Sequence, residues 1–301
     1  MMYRFMKLFS WIVCRLSRKK RQVLGTFLGE LFWLLVPKKR KRLAKEQILS
    51  CRITTDPEQA TAIAKAGTTR FGPMIISVLT YPLYKKRGFG LQITWRGKEH
   101  LDALRKSGKG AVIMASHAGN WEMLGAALAM EGYPLISVAQ KQNNKGADRF
   151  INEYRTMMHQ QVTYKTGIRD MIRLLHSGHY IGLLMDQDPG MTGIAVKFFG
   201  KTTLTADGPA KLAGLGNYPI YSLFIREPAP YCYVIEVTPP IFPYDRDKTL
   251  TAAEKRARVR EITQCLNDRL EAYIRQYPED WFWLHNRWKW TRRYEEIQNK
   301  E

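Results

Sequence analysis

The chain has 301 residues, 45% of them apolar and 12% aromatic, which is enough to bury a sizeable core and excludes wholesale disorder. Forty-eight Lys and Arg against 27 Asp and Glu give a formal charge of +21, so the expected partner surface is anionic: nucleic acid, phospholipid headgroups or an acidic carrier protein. Cys14, Cys51, Cys232 and Cys265 lie far apart, with no C-x-x-C pair and no His at zinc spacing; this argues against a disulfide scaffold or structural zinc and for reduced thiols in a cytoplasmic setting.

The first 52 residues carry fourteen Lys and Arg against Glu30 and Glu46, a net +12. Between the basic clusters, residues 23–36 form an apolar run with one acid in the middle, short of the roughly 20 residues that a membrane span needs. The earlier run, 5–16, carries Lys7 and Arg15 and ends without an A-x-A site, so it does not read as a secretory signal. Apolar helix flanked by Lys and Arg is the composition of a segment lying in an anionic membrane interface. Residues 1–52 are therefore expected to be a helical membrane-anchoring segment that lies on the membrane. An amphipathic helix packed on the domain and a single tilted span are the alternatives.

After Pro37 the sequence reads as helical to about residue 80, with a break near Asp56-Pro57 and Glu58 in a new first turn. From residue 91 short β-rich runs alternate with helical stretches. Strands are predicted at 91–95, 111–115, 134–138, 180–185, 194–198, 220–226 and 231–237. Helices are predicted at 120–131, 146–159, 168–177, 206–216 and 252–276. Such alternation predicts an α/β fold: a single domain over 53–301 with a largely parallel central sheet flanked by helices. The segment 277–290 contains four Trp and several cations, a mixture that suits both a membrane interface and packing on the core.

The segment that carries chemistry is the strand 110–116 leading into His117-Ala118-Gly119-Asn120-Trp121-Glu122. In open α/β sheets the carboxyl edge of the strands binds ligands, and a following helix N-terminus offers free N–H groups. His117 and Glu122 are five apart, about 500° on an ideal helix, so they meet only if His117 precedes the helix. Gly119 permits a tight turn and Asn120 is a good N-cap, which places Glu122 in the first helical turn, within reach of the imidazole. A His held by a carboxylate is suited to take a proton from an alcohol. The same spacing also fits a Glu that only supports the helix start beside a satisfied turn histidine. Ser116 points to the opposite face from His117, which argues against a Ser-His pair. Asp186 and Asp188 flank a strand end; two carboxylates without a third ligand make a thin cation site, so no metal is expected.

Several blocks in order resemble one family. His117 to Glu122 resembles the H-x4-D/E motif of glycerolipid-type acyltransferases, in the version found in the bacterial lipid A biosynthesis late acyltransferases. Asp186-Gln187-Asp188-Pro189-Gly190 resembles that family's D-Q-D-x-G strand end, Val196 to Gly200 its V-x-F-F-G block, and Thr205 to Ala213 its T-x-x-G-x-A-x-L-A helix. Trp283 to Lys289 resembles its closing W-x-H-x-R-W/F-K. The likeness runs over roughly residues 20–290. It departs from the family pattern at Ala118, where Phe is common, and at 138–143, where Tyr-Arg-Pro commonly precedes Asn.

The resemblance implies transfer of a fatty acyl chain from acyl carrier protein to a hydroxyl of a Kdo-bearing lipid A precursor, at the cytoplasmic face of the bacterial inner membrane and with no cofactor. It implies His117 as general base, with Glu122 orienting it and stabilising the imidazolium. The oxyanion would be met by N–H groups of the 118–120 turn and by a guanidinium. Asn120, Arg155, Arg169, Asp186 and Asp188 are the candidate substrate-binding residues; Arg155 or Arg169 would hold a phosphate or the oxyanion. The partners expected are acyl carrier protein, anionic membrane lipids and the lipid A precursor. A lysophospholipid or a mannosylated phosphoinositide is the alternative acceptor. A basic membrane- or nucleic-acid-binding protein without catalysis is the non-enzyme alternative, and no nucleic-acid motif supports it.

Overall fold

The computed structural model of the chain describes residues 1–87, 90–164, 167–244 and 250–298. Among them nine strands form: β1 (Gln92–Arg96), β2 (Ala111–Ala115), β3 (Leu135–Ala139), β4 (Gln161–Tyr164), β5 (Tyr180–Leu184), β6 (Ile194–Phe198), β7 (Lys201–Thr205), β8 (Ile220–Ala229) and β9 (Cys232–Val237). Seven of them make one sheet in the order β1-β9-β8-β2-β5-β3-β4, and β6 and β7 pair as a separate antiparallel ribbon. Within the sheet only the β8–β9 pairing is antiparallel. This is the α/β domain with a largely parallel sheet that the alternation predicts. β2 lies at its centre with all five side chains buried, as an uninterrupted apolar strand must when helices cover both faces.

Two strands escape the sequence reading. β4 is a four-residue strand at the sheet edge, and β7 reads Lys-Thr-Thr-Leu-Thr; neither shows the clear apolar pattern that marks a strand. The long helical reading after Pro37 resolves into α3 (Lys38–Ser50), α4 (Pro57–Thr69), α5 (Phe71–Leu79) and α6 (Tyr81–Arg87), preceded by α1 (Met2–Arg15) and α2 (Arg18–Leu35). The Asp56 side chain caps α4 by accepting from Glu58 N, the helix start expected there. A further helix, α7 (Lys98–Ser107), lies between Gly97 and Gly108, both at positive φ.

The first two helices are fused to the domain. In α1, Val13 and Ser10 are buried, and Ser10 Oγ donates to Leu79 O. α2 crosses α4 and α5 at backbone distance: a Cβ on Gly29 would stand 2.0 Å from Thr69 O, and one on Gly72 2.0 Å from Gly25 O. The opposite faces of both helices expose Phe5, Leu8, Trp11 and Ile12, then Val23, Phe27, Leu34 and Leu35. Among the described residues no helix is long and apolar enough to cross a membrane.

The aromatic segment after α12 (Ala252–Gln276) returns to the core. Trp281 and Trp283 are 1% exposed, and Arg287 is completely buried. Arg287 donates to Leu204 O, Thr203 Oγ1 and Thr205 Oγ1 on β7. Trp281 and Trp283 therefore pack the interior, as the core alternative expects, while Trp288 and Trp290 are half-buried. Phe198 and Phe199 are likewise core: Phe198 packs against Trp281 and Trp288, Phe199 against Trp283.

Candidate active site

β2 ends at Ala115, and α8 (Trp121–Met130) begins six residues later, with the chain reversing through His117 to Asn120. Gly119 adopts φ +59, and a Cβ there would lie 1.7 Å from Ile225 O, so only glycine fits. Asn120 is the N-cap: its Oδ1 accepts from Met123 N, and its Nδ2 donates to Ser77 Oγ. Both ends of the Asn120 side-chain amide are committed inside the protein, which leaves its backbone N–H as the group it can offer a ligand.

A buried guanidinium grips this turn from behind. Arg70, between α4 and α5, donates from Nη2 to His117 O at 2.6 Å and from Nη1 to Gly119 O. Gly119 N donates to Asp280 O at 2.8 Å, and the Asp280 carboxylate accepts from Tyr273 OH. Burial lowers the Arg70 guanidinium to about 10, with Asp280 acting against that fall. In a trans peptide C=O and N–H point in opposite directions. With the carbonyls of His117 and Gly119 held toward Arg70, the N–H groups of Ala118 and Asn120 are aimed away from it. Gly119 N–H is used up on Asp280, so of the three turn donors expected for an oxyanion, two remain.

The carboxylate that meets His117 is Asp186. Nδ1 of His117 lies 2.8 Å from Asp186 Oδ1, and His117 N donates to Oδ2 at 3.0 Å. Trp281 Nε1 donates to the same Oδ2 at 2.9 Å. Register explains the meeting: Ala115 of β2 pairs with Leu184 of β5, so two residues past each strand end His117 and Asp186 stand side by side. Burial pushes the Asp186 carboxyl up, but the His117 ring and the N–H donors outweigh it and hold the group at about 2. An ionised carboxylate cannot donate, so Nδ1 of His117 is the donor, and in the neutral imidazole the lone pair then lies on Nε2. Trp121 packs edge-on against the ring at 4.9 Å between centroids.

Glu122 does not turn back to the imidazole. It is clamped by Arg155 of α9 (Lys145–Met157), which donates from Nε to Oε2 at 2.9 Å and from Nη2 to Oε1 at 2.6 Å. Burial lowers Arg155 and the Glu122 charge more than restores it, so the guanidinium stays protonated with its pKa raised. The expectation that Glu122 orients His117 is thus corrected: in the first turn of α8 it faces α9, and a bidentate Arg fork meets a carboxylate better than one ring nitrogen does.

His117, Trp121, Glu122 and Arg155 line one cavity of about 570 Å³, which runs between α8 and strands β2, β5 and β3. Its inner wall is apolar, with Ile113, Leu124, Leu128 and Leu135; Gln140, Gln142 and Gln187 stand among the remaining lining residues. Asp188 also borders it, but the Asp188 carboxylate accepts from Gly190 N and Trp290 N, and its own N–H donates to His285 Nε2. Asp188 shapes the turn, and Asp186 serves His117, so neither keeps the substrate-binding role expected of it. Arg169, on α10 (Ile168–His176), is exposed and outside the cavity, a further correction. Among the described residues no group of three or more His, Cys, Asp or Glu could hold a metal.

Sequence reasoning did not single out Arg70, Asp280 or Trp281. Arg70 had no local signal, while the W-x-H-x-R block beside Trp281 marked its neighbourhood without assigning it a role.

The sequence matches the family model described as bacterial lipid A biosynthesis acyltransferase over residues 3–290. A phosphatidylinositol mannoside acyltransferase of Mycolicibacterium smegmatis is 29% identical over 230 residues, 70% of this chain and 71% of that one. A lipid A biosynthesis acyltransferase of Haemophilus influenzae is 22% identical over 286 residues, 93% of this chain and 84% of that one. Among solved structures, the 1-acyl-sn-glycerophosphate acyltransferase of Thermotoga maritima covers 85% of this chain and 98% of its own, at 14% identity and a TM-score of 0.35.

Proposed function

The chain belongs to the bacterial lipid A biosynthesis acyltransferase family and is an acyltransferase; from that premise we propose that it moves a fatty acyl chain from an acyl carrier protein thioester to a hydroxyl of a lipid A precursor. The observation that carries this reading is the His117–Asp186 bond beside a cavity that also has the apolar wall of Ile113, Leu124, Leu128 and Leu135. His117 Nε2 takes the proton of the acceptor hydroxyl as its oxygen attacks the thioester carbonyl. Asp186 holds the ring and stabilises the imidazolium that forms. The carbonyl oxygen, now anionic, is met by the N–H groups of Ala118 and Asn120 and by Arg155. Collapse breaks the carbon–sulfur bond, and the proton on His117 passes to the departing thiolate, leaving an ester and the carrier thiol.

Charge supports the choice of partners. A +21 chain attracts both an acidic carrier and anionic lipids. The outward apolar faces of α1 and α2, bordered by Lys19, Lys20 and Lys38 to Arg42, suit a helix pair lying in the headgroup layer, where each cation contributes about 1 kcal/mol. This would place the enzyme at the cytoplasmic face of the bacterial inner membrane.

A second acceptor has a specific observation in its favour: the 29% identity to a phosphatidylinositol mannoside acyltransferase. Incubating purified protein with acyl carrier thioesters and each acceptor, then weighing the lipid products by mass spectrometry, separates the two. Acylation of the mannosylated lipid alone replaces the lipid A reading. Full turnover by His117→Ala with either acceptor defeats the mechanism.

A further inference from the structure

The cavity beside His117 is interrupted by a polar group that the transfer chemistry does not use. Gln160 follows α9 and is 5% exposed. Its Nε2 donates to Ser137 Oγ of β3 at 2.7 Å, while its Oε1 is buried without a hydrogen-bond partner. On the other side the amide lies against α8, where a Cβ on Gly125 would stand 2.4 Å from Nε2 and 2.9 Å from Cδ. The Gln160 amide is therefore a bar from α8 to β3, and Gly125 and Ser137 are its two seats.

Apolar wall continues behind the bar. Leu128 lies one turn further along α8, and Leu135 lies two residues earlier on β3, on the same face as Ser137. Both line the same cavity as Gln160. Because α8 runs back along the strands of its βαβ unit, both positions lie deeper than the amide as seen from His117. An acyl chain that passes Gln160 must break the bond to Ser137 and push the amide aside. It cannot push it toward α8, whose backbone is already in contact.

We propose that Gln160 is the specificity-determining residue for donor chain length: it stops a saturated chain before Leu128 and Leu135, and the cavity selects the shorter donors that end in front of it. The inference rests on the acyltransferase reading of the cavity and adds the class of donor.

The test uses the full-length protein with saturated and hydroxylated acyl carrier thioesters of graded length, and free saturated fatty acids of the same lengths in a parallel binding assay. Gln160→Ala is expected to move the preferred donor to longer chains, changing the long-to-short ratio of kcat/KM by roughly tenfold or more, the size of effect that small apolar differences in a pocket produce. Gln160→Met, which keeps the length and removes the polar atoms, is expected to show a smaller shift in the same direction. The same order of chain lengths is expected in the binding assay. A wild-type profile in both variants overturns the proposal. So does a strong wild-type preference for hydroxylated over saturated chains, which would make Oε1 a recognition group. Failure of the catalytic reading looks different: no thioester is consumed at any length, while fatty-acid binding still responds to residue 160.

Discussion

His117 and Asp186 are 69 residues apart in the chain, and their side chains meet at 2.8 Å because β2 and β5 are adjacent parallel strands that end in register. The pair needs no loop to bring it together, and both residues sit two positions beyond a strand whose backbone is held by the sheet. A side chain placed this way is preorganised at the edge where α/β sheets receive ligands.

Replacing Asp186 by Asn keeps the shape and removes the charge. The amide can present its NH2 to Nδ1 and so favour the wrong tautomer, with the proton on Nε2, where the base must be bare. A fall in kcat of a thousandfold or more is expected, on the scale seen when a triad carboxylate is made an amide. Single-turnover transfer rates check it; wild-type rates would assign the base elsewhere.

The same carboxylate makes stability depend on acid. Its pKa is depressed in the fold, so its contribution is complete above the unfolded value of 3.8 and is lost as pH falls through about 2. At about 1.4 kcal/mol per pH unit the total is about 2 kcal/mol. Urea unfolding of the wild type and of Asp186→Asn at pH 5 and at pH 2.5 should show the difference between the two proteins shrinking toward the lower pH. A constant difference would mean that ionisation of Asp186 contributes nothing to stability.

Glu122 and Arg155 are each less than one-fifth exposed and bond through two parallel contacts. Removing one partner leaves a largely buried charge, for which a loss of about 3 kcal/mol is expected in Glu122→Gln or Arg155→Met. The double variant should recover part of that stability because no orphan charge remains, yet it should stay poorly active if Arg155 meets the oxyanion. Thermal unfolding and kcat for the three variants test this; a double variant with full activity would reduce the pair to a strut.

In the proposed mechanism Arg70 would act through the turn whose carbonyls it holds. Arg70→Lys keeps the charge but cannot bind both carbonyls with one planar fork. A fall in kcat of about a hundredfold with little change in KM is expected, since the loss is in donors that act on the transition state. A rise in KM with kcat preserved would point instead to a damaged binding site.

Membrane attachment is best tested without deleting residues, because α2 packs on α4 and α5 through Gly25 and Gly29. Leu34 and Leu35 are 73% and 70% exposed, so Leu34→Asn with Leu35→Asn should leave the fold intact. Co-sedimentation with phosphatidylglycerol vesicles should weaken by about tenfold or more, from apolar side chains worth roughly 1.5–3 kcal/mol each when buried. Unchanged sedimentation would place the attachment elsewhere on the protein.

The sequence alone determined the local parts of this site. An unbroken apolar strand, a glycine that tolerates the left-handed turn and an asparagine cap set His117 just before a helix and Glu122 inside its first turn, since each feature depends only on near neighbours. The alternation of strands and helices likewise determined a largely parallel sheet. Tertiary structure decided which charges meet. Glu122 had the shorter sequence separation from His117, yet strand adjacency brought Asp186 to the ring and helix packing gave Glu122 to Arg155. Arg70 and Asp280 reach the turn from 47 and 161 residues away, and Trp281 reaches Asp186 from 95, through contacts that no local periodicity encodes. The physical reason is range: backbone conformation follows from steric and hydrogen-bonding preferences a few residues wide, whereas the partner of a buried charge is set by register and packing between distant elements.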